Sequence, residues 1–281
     1  MKKLRFLSFI LCFCLLFVGC DIQPTIQGPS DYNNTVTMVN VGQAACTLIE
    51  SEGQFCLIDA GKYGGENDIV SYLDRRNVKK IDLFVLSHFH HDHTSHAMDV
   101  IRNFDIGAVL IPTLSAENTP DTYFYKSLLA DAADGYYDLV YVQKGQQFTI
   151  GNGVLSVVDD TYNSENINNT STVTVFTLGD FTYVNMADTE ADRDKYILDL
   201  LPENVDFLTA GHHGSKDATS EQLLDRLKPA LVGISCGENN EYGHPHKAML
   251  KRLTDRNIQY AITFEKGNIV YYADTETVQF E

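Results

Sequence analysis

The chain has 281 residues, of which 44% are hydrophobic and 21% are charged. This is the composition of a globular protein that is long enough for one large core or two small ones. The formal net charge of −17 argues against diffuse binding to a long polyanion, because such binding draws on many Lys and Arg contacts. Any phosphate-containing substrate must therefore be held locally.

The N-terminus has the layout of a secretory signal. Three basic residues at the start precede an apolar run from Phe6 to Val18, which is shorter than the roughly 20 residues that span a bilayer, and Gly19-Cys20 follows. This ending resembles a lipoprotein cleavage box and predicts a lipoprotein signal peptide over 1–20, with lipid on the cysteine. A plain secretory signal without lipid is the alternative interpretation.

The polar segment 21–34 follows, with two prolines and no periodicity, and it predicts a flexible tether between the membrane and a domain at 35–281. Loss of the signal would lower the 21 basic residues to 18 against 38 acidic ones, a net charge near −20. Three cysteines would remain in the domain. Their odd number and their spacing favour buried thiols over a disulfide scaffold.

Short apolar runs and helical periodicities alternate along the domain. Strands are predicted at 35–41, 45–50, 54–59, 82–86, 107–111, 138–142, 147–150, 153–158, 172–178, 181–187, 205–210, 230–234 and 258–263. Helices are predicted at 66–76, 94–104, 120–133, 190–200, 218–227 and 247–256. A β-rich half followed by an αβ half, repeated once, predicts two stacked sheets with helices outside, an αββα sandwich.

A histidine-rich loop follows the strand predicted at 82–86. It reads S-H-F-H-H-D-H-T-S-H, and all nine histidines of the chain fall in three such short clusters. His88 and His90 are two apart, so at an extended strand end both can face one ion. Asp92 and His93 lie in the next turn and suit a second ion. Mixed imidazole and carboxylate ligands are typical of Zn²⁺, Mn²⁺ or Fe sites; a histidine-rich surface loop is the alternative.

Two later strand ends carry further candidate ligands. Asp188 ends the strand predicted at 181–187 and could bridge two ions, although an Asp at this place also suits a helix N-cap. His212 follows the strand at 205–210 in a glycine turn. Ligands on strand ends at one edge of a sandwich would form a single site.

These motifs together resemble the metallo-β-lactamase fold superfamily and, within it, the C-terminal hydrolase domain of ComEC-type competence proteins. The similarity runs over 35–275 and rests on H-x-H-x-D-H in the loop, M-V-N-V-G-Q at 38–43, L-I-D-A-G at 57–61, G-H-H-G-S-K at 211–216 and Y-G-H-P-H at 242–246.

The resemblance implies two divalent ions, Zn²⁺ or Mn²⁺, held by the loop and the later strand ends. It implies His88 and His90 on one ion, Asp92, His93 and His212 on the other, and Asp188 bridging both. Asp59 and His213 are expected to support these ligands from behind.

The chain also departs from the family pattern. The usual metal histidine before the bridging acid is missing, and Asn168-Asn169-Thr170-Ser171 occupies that region, so we expect one ion to be weakly held. Asn169 is predicted to contact the substrate. Two acids of the family's first motif are replaced by Asn40 and Ala45, which affects the expected metal occupancy or preference.

The remaining motif residues favour a phosphate ester as substrate. Ser215 and Lys216 could hold non-bridging oxygens, and His244 or His246, before an apparent helix, could protonate the leaving group. With Asp92 as a further catalytic residue, we expect attack on phosphorus by a metal-activated hydroxide.

The sequence therefore predicts a metal-dependent phosphodiesterase or nuclease that acts outside the cytoplasmic membrane, anchored by lipid on Cys20. Expected substrates are phosphodiesters such as single-stranded nucleic acid or a wall polymer, and no protein partner is inferred. One alternative is hydrolysis of a non-phosphate ester or amide, such as a β-lactam or a wall phosphocholine ester. The other is a binding module that holds metal without catalysis.

Overall fold

The computed structural model describes residues 34–63, 68–159 and 165–281. The strands of these ranges are β1 (Asn34–Met38), β2 (Thr47–Ser51), β3 (Gln54–Ile58), β4 (Lys80–Val85), β5 (Asp105–Ile111), β6 (Asp138–Tyr141), β7 (Gln147–Ile150), β8 (Gly153–Asp159), β9 (Val173–Leu178), β10 (Phe181–Asn185), β11 (Phe207–Thr209), β12 (Leu231–Ile234), β13 (Gln259–Ile262), β14 (Ile269–Tyr272) and β15 (Thr277–Phe280). The α-helices are α1 (Ile69–Arg75), α2 (His91–Thr94), α3 (Ala97–Asn103), α4 (Tyr123–Ala133), α5 (Ala191–Ile197), α6 (Glu221–Leu227), α7 (Lys247–Asp255) and α8 (Thr263–Lys266).

The strands form two sheets. One runs in the order β15-β14-β1-β2-β3-β4-β5-β6 and the other in the order β13-β12-β11-β10-β9-β8-β7. In the first sheet the pairs from β15 to β3 are antiparallel and those from β3 to β6 are parallel. In the second sheet the pairs from β7 to β10 are antiparallel and those from β10 to β13 are parallel.

Alternate residues of each strand face different cores, as the pleat of a β-strand requires. Val85 and Tyr183 point into the core between the two sheets. Their neighbours Phe84 and Val184 point outward, Phe84 into a core with α1, α3 and α4, and Val184 into a core with α5, α6 and α7. The predicted αββα sandwich of the metallo-β-lactamase fold is confirmed.

Parallel pairing brings the functional strand ends together. Ile58 of β3 pairs with Val85 of β4, and Asn185 of β10 pairs with Thr209 of β11. In each sheet the carboxyl ends of these paired strands therefore lie side by side, and the residues that follow them can converge on one site.

Several element boundaries differ from the prediction. The helix predicted at 94–104 is two short helices, α2 and α3, separated at Ser95-His96. The strands β14 and β15 were not predicted. β14, near the end of the sequence, pairs with β1 at the start of the domain, and local periodicity does not reveal a partner so distant in sequence.

The expected signal peptide at 1–20, with Cys20, lies outside the described residues, as does nearly all of the tether. Asn34, which we placed at the end of the tether, is buried and opens β1. Within the described ranges, no helix combines the length and apolar character needed to cross a membrane. Cys46, Cys56 and Cys236 are free and buried, as expected.

Asp194 of α5 gives a prediction for the stability of the fold. Its side chain is buried and accepts a hydrogen bond of 2.8 Å from the Ser220 amide. Burial raises its pKa from 3.8 to about 6, against the opposing hydrogen bond from Ser220. The folded state therefore holds this proton more tightly than the unfolded state, and stability falls as the pH rises from about 4 to about 6.

We expect Asp194→Asn to be more stable than the wild type at pH 7.5 by roughly 1–3 kcal/mol, because the amide removes the penalty of a buried charge. The advantage should shrink toward pH 4. Urea unfolding of the metal-free protein at several pH values measures both. Asp192→Asn, on the exposed side of the same helix, is the matched control. A constant difference between the Asp194 variant and the wild type across this range would contradict the assignment.

Candidate metal site

The histidine loop is held at the carboxyl end of β4. His88 is fully buried directly after the strand, and His90 precedes α2 as its N-cap residue. The single turn of α2 then carries Asp92 and His93. Thr94 closes this turn by donating its hydroxyl proton to the His90 carbonyl at 3.0 Å. The loop thus presents an extended pair of histidines followed by a helical pair, as expected.

Asp59 fixes the orientation of the loop. Its Oδ1 accepts a hydrogen bond of 2.8 Å from the Ser87 amide, and its Oδ2 accepts from the Ser87 hydroxyl at 2.7 Å. The same Oδ2 lies 2.6 Å from Nδ1 of His93, which must donate because the carboxylate cannot. The support expected from Asp59 is therefore present as direct contacts, and it turns Nε2 of His93 away from Asp59.

Asp188 lies at the centre of the site. Its buried carboxylate places Oδ1 3.1 Å from Nε2 of His93 and 3.6 Å from Nε2 of His213. Oδ2 lies 3.9 Å from Nε2 of His88. Asp92 Oδ2 closes the arrangement at 3.3 Å from Nε2 of His213.

These side chains form two groups whose ligand atoms lie within 4.8 Å of one another. Both groups contain Asp188, which is in the position of a bridging ligand. The groups are Asp92, His93, Asp188 and His213, and His88, His90 and Asp188.

The donor set fits divalent metal ions. In the described part of the chain, the Nε2 atoms of His88, His93 and His213 are buried without a hydrogen-bond partner. Their neighbours are carboxylate oxygens of Asp188 and Asp92 at 3.1–3.9 Å, and a cation shared by the imidazoles and carboxylates would satisfy all of these buried groups. Ligand atoms on one ion with bonds of about 2.0–2.2 Å lie roughly 3–4 Å apart, which matches the distances here.

The pKa shifts in the site favour the protonation states that bind cations. Burial and the neighbouring His93 hold the pKa of His88 well below its ordinary value, so this imidazole is neutral. Burial disfavours the ionised form of Asp188, but His93 and His213 outweigh it and hold the pKa of Asp188 well below its ordinary value. A neutral imidazole and an ionised carboxylate are the forms that bind metal.

The structure places His213, rather than the predicted ligand His212, among the candidate ligands. His213, expected behind the ligands, lies in the ligand group, and its Nδ1 donates to the Ser235 carbonyl at 2.9 Å. His212 is partly exposed, with Nδ1 3.3 Å from Glu190 Oε1 and Nε2 3.8 Å from Asp188 Oδ2. Both residues have a left-handed backbone conformation, with φ of 47° and 55°. The alternating side-chain directions of the strand therefore do not continue through this turn.

A cleft of about 400 Å³ opens onto the ligand groups. It is lined by Gln43, Lys62, His90, His91, Asp92, Asn168, Asp188, His212, His213, Tyr242 and His244. We did not anticipate Gln43, Lys62, Tyr242 or Asn168 in this lining. A sequence signal existed for three of them, since Gln43 and Tyr242 lie in family motifs and Lys62 directly follows L-I-D-A-G.

The predicted substrate-binding residues lie elsewhere. None of Ser215, Lys216 and Asn169 is among the described residues that line the cleft. The Lys216 ammonium pairs with Asp217 at 2.6 Å, and the buried Ser215 hydroxyl accepts from the Asp217 amide at 3.3 Å. The Asn169 carbonyl oxygen accepts from the Glu190 amide at 2.9 Å, so this side chain braces the loop near Asp188. The polar groups of these three side chains are therefore bonded to neighbouring residues rather than presented to the cleft.

Of the two motif histidines near α7, only His244 is part of the described cleft lining. Its Nδ1 lies 3.3 Å from Nε2 of Gln43, whose Oε1 accepts from the Gly237 amide at 3.1 Å. Gln43 therefore donates to Nδ1, and the proton of neutral His244 is on Nε2. Burial, with His213 and His212 nearby, lowers the pKa of His244 to about 4. His246 instead caps α7 and accepts from the Lys216 amide at 2.9 Å.

The two lost acids occupy different places. Ala45 borders a small cavity of about 10 Å³ that Asp59, Asp188 and His213 also line. Asn40 uses its side-chain oxygen to accept from the Gly42 amide at 3.3 Å and shapes the turn after β1. Of the two expected departures from the family motif, only Ala45 therefore borders the ligand groups.

The model of the Metallo-beta-lactamase superfamily matches residues 39–234, and the chain belongs to this superfamily. Membership of this superfamily, together with the candidate ligand groups, supports a metal-dependent hydrolase. The likeness in fold extends to the metallo-beta-lactamase fold protein YhfI from Bacillus subtilis, with a TM-score of 0.58 and 16% identity over 85% of this chain and 99% of that one.

Within the superfamily, the resemblance to ComEC-type competence proteins is confirmed. The chain is 26% identical to ComE operon protein 3 of Bacillus subtilis (strain 168) over 74% of its length and 26% of the relative. It is 28% identical to Recombination protein 2 of Haemophilus influenzae over 87% of its length and 28% of the relative. The chain thus spans about a quarter of the length of these curated relatives.

The adjacent histidines provide a matched test of the ligand set. We expect His213→Ala to weaken Zn²⁺ or Mn²⁺ binding by well over tenfold, because it removes a buried ligand beside Asp188, whereas His212→Ala should change the affinity by a few fold at most. Isothermal titration of the metal-free variants measures this. The reverse order would restore the roles expected from the sequence.

Proposed function

We propose that the protein is a metal-dependent phosphodiesterase, with two divalent ions, Zn²⁺ or Mn²⁺, shared by one carboxylate. The observation that carries this proposal is the pair of ligand groups joined at Asp188 on the floor of an open cleft. When bound, two such ions supply an acidified water and positive charge on both sides of a phosphoryl centre. The side chains of both groups are buried except for Asp92 and His90, which are half-buried.

The two groups differ in strength. His88 and His90 contribute only two imidazoles beside the shared Asp188, whereas the other group offers four side chains. Asn168 lines the same cleft and donates its amide to Glu190 Oε1 at 3.1 Å, so it adds no ligand to the poorer group. We infer that the ion at His88 and His90 is the weaker one.

Lys62 supports a phosphate-containing substrate. It is a half-buried cation in the lining of a cleft whose other described residues are neutral, acidic or histidine. An ammonium there can hold a non-bridging phosphoryl oxygen by a charge-assisted hydrogen bond. Lys62 thus takes the role that we expected for Lys216, whose charge is already paired with Asp217.

His244 adds a neutral donor on the cleft wall. Because Gln43 donates to Nδ1 of His244, the N–H on Nε2 remains for the substrate. This group can stabilise charge on a departing oxygen by hydrogen bonding. His246, which is bound to the Lys216 amide, has no such part in the proposal.

The acidic surface limits the substrate. With a net charge of −17, the protein is suited to a small or short single-stranded phosphodiester, held at one point, rather than to a long duplex. The proposed place of action is outside the cytoplasmic membrane, where the N-terminal signal would direct the chain and lipid on Cys20 would hold the domain.

The proposed activity can be tested with bis(p-nitrophenyl) phosphate and protein loaded with Mn²⁺ or Zn²⁺. We expect turnover by the wild type and a loss of at least about 100-fold in Asp188→Asn, which weakens the shared ligand of both groups. Asp192→Asn, with an exposed side chain, should retain wild-type activity.

Negligible turnover by metal-loaded wild type would contradict the proposal. Faster turnover of nitrocefin or p-nitrophenyl phosphocholine than of the diester would identify a different substrate class.

A second prediction compares the two lysines. Lys62→Gln should lower kcat/KM for the diester by about tenfold, because it removes a charge-assisted contact to the phosphate. Lys216→Gln should leave kcat/KM within about twofold, since its ammonium is exposed and paired outside the cleft. Steady-state kinetics of both variants at one ionic strength decide between the lysines, and a larger loss in the Lys216 variant would favour the original expectation.

A further inference from the structure

A row of parallel rings leads from the metal site to the mouth of the cleft. The rings of His213 and His244 are 25° from parallel, with centroids 6.2 Å apart. Tyr242 continues the row, 26° from parallel to His244 and 5.7 Å from it. His213 is a member of the ligand group, so Tyr242 lies two ring contacts from the proposed reaction centre.

Tyr242 offers an exposed ring in a functional cleft. It lines the cleft, yet 57% of the residue is exposed. The other exposed tyrosines, including Tyr63, Tyr123 and Tyr136, are not among the described residues that line the cleft. An aromatic face beside a site for a phosphodiester is suited to stacking with a planar group of the substrate.

The loop that carries Tyr242 is held rigid by Asn240. The Asn240 oxygen accepts from the amides of Tyr242 at 3.2 Å and His244 at 3.0 Å. Its Nδ2 donates to the carbonyls of Gly237 at 2.9 Å and His244 at 2.6 Å. All hydrogen-bonding groups of this amide serve the loop, so the backbone that carries the ring is held in place before a ligand arrives.

The charge of the protein makes stacking the suitable means of recognition. Proteins that follow a nucleic-acid backbone rely on a positively charged groove, which a chain with net charge −17 does not favour. Stacking of a base on an aromatic ring does not depend on surface charge and tolerates any base. A single cation at Lys62 and a single ring at Tyr242 would together hold one nucleotide.

We propose that Tyr242 is a stacking platform for a nucleobase, so that the substrate class is a nucleotide diester with one base seated at the cleft mouth. This inference rests on the proposed phosphodiesterase function and narrows it. The phosphate would lie over the ligand groups, with the base on the outermost ring of the row.

The test compares three substrates that share one leaving group: thymidine 5′-(p-nitrophenyl phosphate), its abasic 2-deoxyribose analogue and methyl p-nitrophenyl phosphate. With metal-loaded wild type, we expect kcat/KM for the nucleoside substrate to exceed that for the abasic analogue by about tenfold, as one stacked base contributes. In Tyr242→Leu this ratio should fall to about one, and Tyr242→Phe should keep it. Tyr136→Leu, at an exposed tyrosine outside the cleft, should leave all rates and ratios unchanged.

Equal kcat/KM for the nucleoside and abasic substrates in wild type would overturn the proposal. An abasic substrate that is preferred over the methyl diester, with loss of that preference in Tyr242→Leu, would also overturn it in favour of sugar recognition. A ratio that stays high in Tyr242→Leu would place the base elsewhere.

Binding separates this inference from the proposed activity. If no diester is hydrolysed, the affinities of thymidine 5′-monophosphate and 2-deoxyribose 5-phosphate, measured by titration calorimetry, still test the platform. Tighter binding of the nucleotide that is lost in Tyr242→Leu would support it while the proposed activity fails. Equal binding of the two phosphates would overturn it.

Discussion

The buried carboxylate of Asp188 is the constraint on which the site depends. An ionised group in the interior is unfavourable unless opposite charge surrounds it, and here three buried imidazole edges converge on it. Burial alone would lower the pKa of His93, but Asp188 and Asp59 outweigh it and raise that pKa well above its ordinary value. Without metal, a proton on His93 therefore balances the two carboxylates, and metal binding must displace it.

The sandwich makes this convergence possible. Asp59 and the histidine loop follow neighbouring parallel strands of one sheet, while Asp188 and His213 follow neighbouring parallel strands of the other. The core between the sheets keeps the two edges in register, so ligands about a hundred residues apart in the chain meet within 4 Å. A rigid scaffold of this kind suits a site in which small displacements change catalysis strongly.

The cleft above the site combines few charges with aromatic rings. Lys62 lines the same cleft as carboxylates that belong to the ligand groups, so the floor would become attractive to the proposed phosphate only when cations occupy it. Binding of that substrate would then depend on metal loading. The same arrangement explains how an acidic protein could act on an acidic substrate. The substrate would be recognised only in the cleft, while the rest of the negatively charged surface repels long polyanions.

The sequence by itself determined the sandwich, the superfamily and most of the candidate metal ligands, because alternating periodicities and the spacing of H-x-H-x-D-H are local properties. It could not determine which of His212 and His213 faces Asp188, since two left-handed residues set that direction. Nor could it reveal that Lys216 is paired with its neighbour while Lys62 reaches the cleft, or that β14 pairs with β1. These outcomes depend on contacts between distant segments, and only the tertiary structure decides them.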